Sequence, residues 1–155
     1  MASVAEQIRL AVMEKLDLCL AELDWTTLQR NPRETFDEAQ LNAILMLDGD
    51  EMEPDSLTGS VEDSSLEFIV GLLVMEADGQ TIEQLLDAGW VSVCDTLVDP
   101  TDIQLGGLAI DIQKLGKTAP LYGRAVQSAR IGAEQYMEFR VRYHAREGAA
   151  STVGP

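Results

Sequence analysis

The stretch that most limits the possible folds is residues 66–77, LEFIVGLLVMEA, the most apolar run in the chain. It falls well short of the roughly 20 apolar residues that a membrane-spanning helix needs. Read as a strand, it is apolar on both sides, with Phe68, Val70, Leu72 and Val74 on one and Ile69, Leu73 and Met75 on the other. Strands of that kind lie inside a sheet with a layer against each face. The segment is therefore expected to be a central strand covered on both faces, and the rest of the chain must supply its neighbours and its cover.

Two helical patterns can provide the cover. Ser3 followed by Glu6 has the spacing of a capping box, and Val4, Ile8, Val12, Leu16, Cys19, Leu20 and Leu23 then recur at helical spacing. Asp24 marks the end of this helix, and Arg9, Glu14, Lys15, Asp17 and Glu22 are expected to face water. A second helix is predicted over residues 81–97, with Ile82, Leu85, Leu86, Gly89, Val93 and Leu97 on one stripe and Trp90 widening it. Asp99-Pro100 closes it.

The remaining strands are expected at 25–31 (WTTLQRN), 41–47 (LNAILML), 108–115 and 135–145. In the last of these Met137, Phe139, Val141 and Tyr143 alternate with Glu138, Arg140, Arg142 and His144, which predicts a core face and a polar face. Asp48-Gly49-Asp50 reads as a turn and residues 50–65 as an exposed acidic loop. Residues 116–132 read as a long connection. The predicted order is αβββαββ without βαβ alternation, hence an α+β fold with a mixed or antiparallel sheet flanked by two helices. A chain of 155 residues fits one domain, taken as 1–148, with a disordered tail at 149–155.

The charges are segregated. Formal net charge is −16, yet residues 34–111 contain 19 acids and no Lys or Arg, whereas from Lys114 onward seven bases face three acids. An acidic middle disfavours direct nucleic-acid binding, because each phosphate contact wants a cation. It keeps the chain soluble, and it also allows opposite ends of neighbouring copies to attract head to tail. The charged residues at Glu6, Arg9, Glu14, Lys15 and Asp17 interrupt any signal-peptide pattern, so a cytoplasm-like compartment is expected.

No pattern in the chain carries catalytic chemistry. His144 is the only histidine and sits among arginines on the polar face of a strand. Cys19 and Cys94 lie far apart inside predicted helices and read as small buried hydrophobes. Phosphate-binding glycine motifs and a nucleophile elbow are lacking. An EF-hand loop begun at Asp48 would place Met52 and Gly59 where acids are needed. No catalytic, cofactor or metal residues are assigned, and a non-enzymatic protein is expected.

The helix–WTTLQRNP–strand opening, the LNAILMLDGDE segment and the closing strand YMEFRVRYHAREG together resemble the tail terminator proteins of long-tailed phages and gene transfer agents. The likeness is spread over roughly residues 3–148. It implies an α+β subunit of a hexameric ring that caps the head-proximal end of a tail tube, stops its polymerisation and offers the surface that joins the head. The implied setting is the virion tail, assembled in the host cytoplasm. Implied partners are further copies of the chain, the tube protein and a head–tail connector protein, with no membrane and with DNA only as cargo through a pore. On this resemblance Lys117, Tyr122, Arg124 and Arg130 belong to an inter-strand arm that reaches a neighbour's acidic middle. Glu138, Arg140, Arg142 and His144 are the candidates for a pore-lining face. Two alternatives stay open: another neck protein of the virion, or an acidic inhibitor that mimics DNA.

Overall fold

A computed structural model describes residues 2–56, 61–77, 79–124, 130–146 and 149–153. Helix α1 (Val4–Leu23) starts where the Ser3 hydroxyl accepts from the Glu6 N–H, and it ends at Asp24 in the left-handed region. Helix α2 (Ile82–Leu97) opens on a reciprocal capping box between Thr81 and Gln84. Between and after them run β1 (Thr27–Arg30), β2 (Ala43–Ser56), β3 (Val61–Met75), β4 (Asp111–Lys117), β5 (Leu121–Arg124), β6 (Ile131–Arg146) and β7 (Ala149–Val153).

The seven strands form one sheet of path β1-β2-β3-β6-β4, with β5 and β7 also paired to β6. Only the β1–β2 pair is parallel, so the sheet is mixed and the fold is α+β. The apolar segment at 66–77 does occupy a central strand, β3, between β2 and β6.

Both helices pack on the same face of the sheet. Ile44 and Met46 of β2, Phe68, Val70 and Leu72 of β3, and Phe139 and Val141 of β6 join Ile8, Val12, Leu16, Leu86, Trp90 and Val93 in one core. The predicted core face of β6 is thus buried. Gln135 follows the same alternation into the interior, where its Oε1 accepts from the Trp90 indole N–H at 2.7 Å and its amide donates to the Thr118 carbonyl at 2.8 Å. Replacing Trp90 by Phe keeps an aromatic ring, though a smaller one, and leaves that buried acceptor without its indole donor. The expected cost is about 1–3 kcal/mol, read from the shift in urea midpoint.

Several expectations need correction. The Asp48-Gly49-Asp50 turn is absent, and most of the expected acidic loop is strand. β2 runs on to Ser56 and pairs with β3, which in turn is held along its whole length by β6 from Met75↔Gly132 to Val61↔Arg146. Polar composition does not prevent a strand when neighbouring strands supply its hydrogen bonds. Gly49 sits where the β2–β3 register shifts between Asp48 and Glu51, and a Cβ there would lie 2.7 Å from the Glu67 carbonyl oxygen. The glycine permits a close backbone approach at a bulge rather than a reversal.

The connection at 116–132 and the tail also form strands. β5 pairs with the start of β6, and β7 with its end, because β6 is longer than β4 and leaves backbone groups to satisfy at both ends. The strand expected at 108–115 begins later, at Asp111, after a 3-10 turn over Leu105–Gly107 in which Gly106 and Gly107 take φ of 66° and 95°.

Arg9 and Lys15 do not face water as expected. Arg9 is buried, its Nη1 donating to Glu51 Oε1 at 2.9 Å. The Lys15 ammonium lies 3.1 Å from Asp102, with only 13% of its side chain exposed.

Among the described residues, finally, the central strand is covered by helices on one face only. Against the far face, among the described residues, lie the 3-10 turn Glu38–Gln40 and the chain around it, where Phe36 and Leu41 pack beside Ala43, Leu45 and Leu73. Leu47, Ile69, Leu73 and Tyr136 stay half-buried there.

Candidate self-assembly surfaces

The long hairpin partner β6 organises two surfaces, one along its free side and one across the uncovered face. On the free side, β4 and β5 form the outer edge of the sheet, and this is where the predicted arm falls. It is a short hairpin, β5–β6, rather than an unstructured loop. Leu121, Tyr122 and Ile131 are exposed by 61%, 55% and 46%, an unusual density of large apolar groups for one short edge. The Tyr122 hydroxyl donates to Glu83 Oε1 at 3.2 Å, and that hydrogen bond ties the arm to the first turn of α2. Tyr122 and Arg130 line one shallow groove with Thr81, Glu83 and Ile131.

The four arm residues do not form one cluster. Arg130 has its Nη1 3.8 Å from Glu38 Oε1 and so leans toward its own 3-10 turn. Lys117 lies farther along the edge, in a separate groove with Leu47, Ile69, Tyr136 and Glu138. The backbone of Arg124 pairs with Ile131 at the end of β5, and its side chain lies outside the described part of the structure. Lys114 and Lys117 are exposed on β4 and form no ion pair with any described residue.

The polar face of β6 is largely engaged within the molecule. Arg140 Nη2 donates to Glu67 Oε1 at 2.8 Å, across the pair Glu67↔Arg140 of β3 and β6. Arg142 grips Asp111 with two hydrogen bonds of 3.0 and 2.6 Å, across the pair Asp111↔Arg142 of β4 and β6. Opposite charges facing each other across neighbouring strands stabilise the sheet. The Arg142 guanidinium holds the Asp111 carboxyl below its ordinary value. Glu138 is exposed and His144 half-buried. Strand alternation showed the polar face in advance, but the partners came from β3 and β4, whose register the sequence does not announce.

Beside the arm, Pro32, Phe36, Leu41, Leu45, Leu73, Leu121 and Gly132 enclose a predominantly apolar groove of about 360 Å³ rimmed by Glu34 and Glu134. Tyr136 closes one side of this uncovered face and donates to Glu134 Oε2 at 3.1 Å. Burial together with the nearby carboxylate pushes its phenol up to about 12. Nothing in the groove pairs a nucleophile with a base. Among the described residues no cluster of His, Cys, Asp and Glu could hold a metal ion.

Two described acids around the start of the expected loop have partners within the molecule. Asp48 is held by Arg30 at 2.9 and 2.7 Å, and Glu51 by Arg9. Cys19 is buried and Cys94 half-buried, the latter 3.8 Å from the Met137 sulfur, with burial raising its thiol pKa.

The exposed surface of the helical layer is the counterpart of the basic edge. Glu14, Asp17, Glu22, Glu83, Asp87 and Asp95 are exposed on α1 and α2, and neither helix exposes a Lys or Arg. Sequence reading found the acidity but not that it would be displayed on one layer.

Compared with models of known protein families and with curated proteins, the sequence matches none. No described helix is long and apolar enough to cross a membrane.

Proposed function

We propose that this chain is a non-enzymatic structural protein that assembles with copies of itself into a ring, as the tail terminator proteins it resembles do. In this reading the ring sits at the head-proximal end of a phage or phage-like tail tube, ends tube polymerisation and presents the surface that meets the head. The observation that carries the reading is the pair of unlike surfaces on one small domain. A sheet edge that exposes lysines and large apolar side chains sits on the same domain as a helical layer whose exposed charges are all acidic. Unlike patches on one subunit make heterologous contacts, which close into rings when the rotation allows. The resemblance supplies the place of the ring in the virion and its six copies.

Native mass spectrometry of the purified chain across concentration, followed by negative-stain imaging, tests this reading. A discrete closed ring, six copies being expected, supports it. Added to polymerising tube protein from the same genome, the chain should cap tubes at one end and shorten them. A chain that neither closes into a ring nor changes tube length would reject the reading.

A further inference from the structure

The outer face of α1 is a ridge of unusual character. Leu10 and Leu18 are 49% and 65% exposed, and Glu14 and Asp17 lie exposed between them on the same side of the helix. One flank of α1 is fastened to β1 and β2, where Glu6 holds Arg30 at 2.6 and 2.7 Å and Arg9 holds Glu51, the other flank reaches Asp102 through Lys15, and the ridge faces away from the sheet between them. The β4 edge lies at the other end of the sheet path, four strand spacings or about 19 Å from β1. It exposes Lys114 and Lys117 together with Leu115, and Leu121 stands exposed on the neighbouring β5.

We infer that the occupant of the β4–β5 edge is the α1 ridge of a second copy of this chain, with Lys114 and Lys117 meeting Glu14 and Asp17 and the leucines packing between them. The inference deepens the ring reading by naming the two surfaces in contact, and it rests on that reading only for closure of the assembly.

Three observations favour this partner over others. The lysines have no described carboxylate of their own, whereas Arg140 and Arg142 of β6 do. Edge lysines oppose the pairing of two like edges, since that would set ammonium against ammonium, so a symmetric edge-to-edge dimer is disfavoured. An acidic ridge bearing exposed leucines complements the edge in charge and in apolar character, and it is a different surface of the same domain, as a repeating head-to-tail contact requires.

The test uses two full-length variants, K114E/K117E and E14K/D17K, each checked for native circular dichroism and then studied by native mass spectrometry alone and mixed. Each variant alone sets like charges against each other, and self-association is expected to weaken by about 100-fold relative to wild type. An equimolar mixture is expected to recover assemblies in which the two variants alternate one to one, because every contact then joins opposite charges.

Variants that fold and still assemble alone as wild type does, or a mixture that recovers nothing, overturn the contact while a wild-type ring keeps the ring reading intact. Assembly that responds to both reversals but grows as open chains keeps the contact and overturns the ring. A wild-type chain that stays monomeric at millimolar concentration overturns the contact itself.

Discussion

Replacing Phe139 by Ala is expected to destabilise the fold by about 3–5 kcal/mol, the range for deleting a fully buried aromatic ring. Phe139 has no exposed surface, and its ring lies nearly parallel to that of Phe68, centroids 5.2 Å apart. The two are direct cross-strand partners on β6 and β3, beneath both helices. The cavity would open at the centre of the core, where the longest strand pair and the helical layer meet and where neighbours can relax only partly. Urea denaturation followed by far-UV circular dichroism measures the loss. Leu121→Ala supplies the contrast: it removes an exposed side chain and should change stability by no more than about 0.5 kcal/mol. An equal effect from both substitutions would mean that the buried and exposed faces of this sheet have been assigned wrongly.

Arg30→Met is expected to remove about 1–3 kcal/mol at neutral pH, and much less in acid. Arg30 bridges two carboxylates. It donates to both oxygens of Glu6 at 2.6 and 2.7 Å and to both of Asp48 at 2.9 and 2.7 Å, and so fastens α1 to β1 and β2. The side chains are 22%, 36% and 30% exposed, so solvent screening keeps the value below that of a fully buried pair. The guanidinium holds both carboxyls below their ordinary values through these hydrogen bonds. A carboxylate with a depressed folded pKa stabilises the protein above its unfolded pKa, and that contribution is lost as pH falls through the folded value. The gap between wild type and variant should therefore be widest at neutral pH and narrow steadily below the ordinary carboxylate range. Denaturation at a series of pH values measures it. A gap that stays constant through the acid range would show that Arg30 acts through packing of its stem and not through its charge.

The Arg30 cluster and the Phe68–Phe139 pair fix α1 and β6 relative to one another, which holds the ridge and the edge at a constant spacing. The proposed ring would need that constancy, because small angular errors accumulate around a closed set of subunits. Weakening the core and weakening the contact should consequently be separable: Phe139→Ala acts on the monomer, whereas charge reversal at Lys114 and Lys117 acts between copies.

What the sequence determined by itself follows from short-range physics. Helical spacing and capping residues placed α1 and α2 to within a residue or two, since Ser3, Thr81 and Gln84 act on backbone groups three positions away. Alternation identified the buried face of β6, and the double-sided apolar run identified β3 as central.

What only the tertiary structure decided depends on residues distant in the chain. The acidic half of β2, the short β5 and the tail strand β7 carry weak strand signals of their own. They are strands because β3 and β6 offer unpaired backbone groups at those positions. Arg9 and Lys15 sit at helical positions that read as solvent-facing, until Glu51 and Asp102 are brought over them. The same holds for the candidate surfaces. Composition revealed an acidic middle and a basic end, but the pairing of Arg140 with Glu67 and of Arg142 with Asp111 was set by strand register. That register, and not the count of charges, left Lys114 and Lys117 exposed on one edge, while helical spacing turned the carboxylates of α1 and α2 outward.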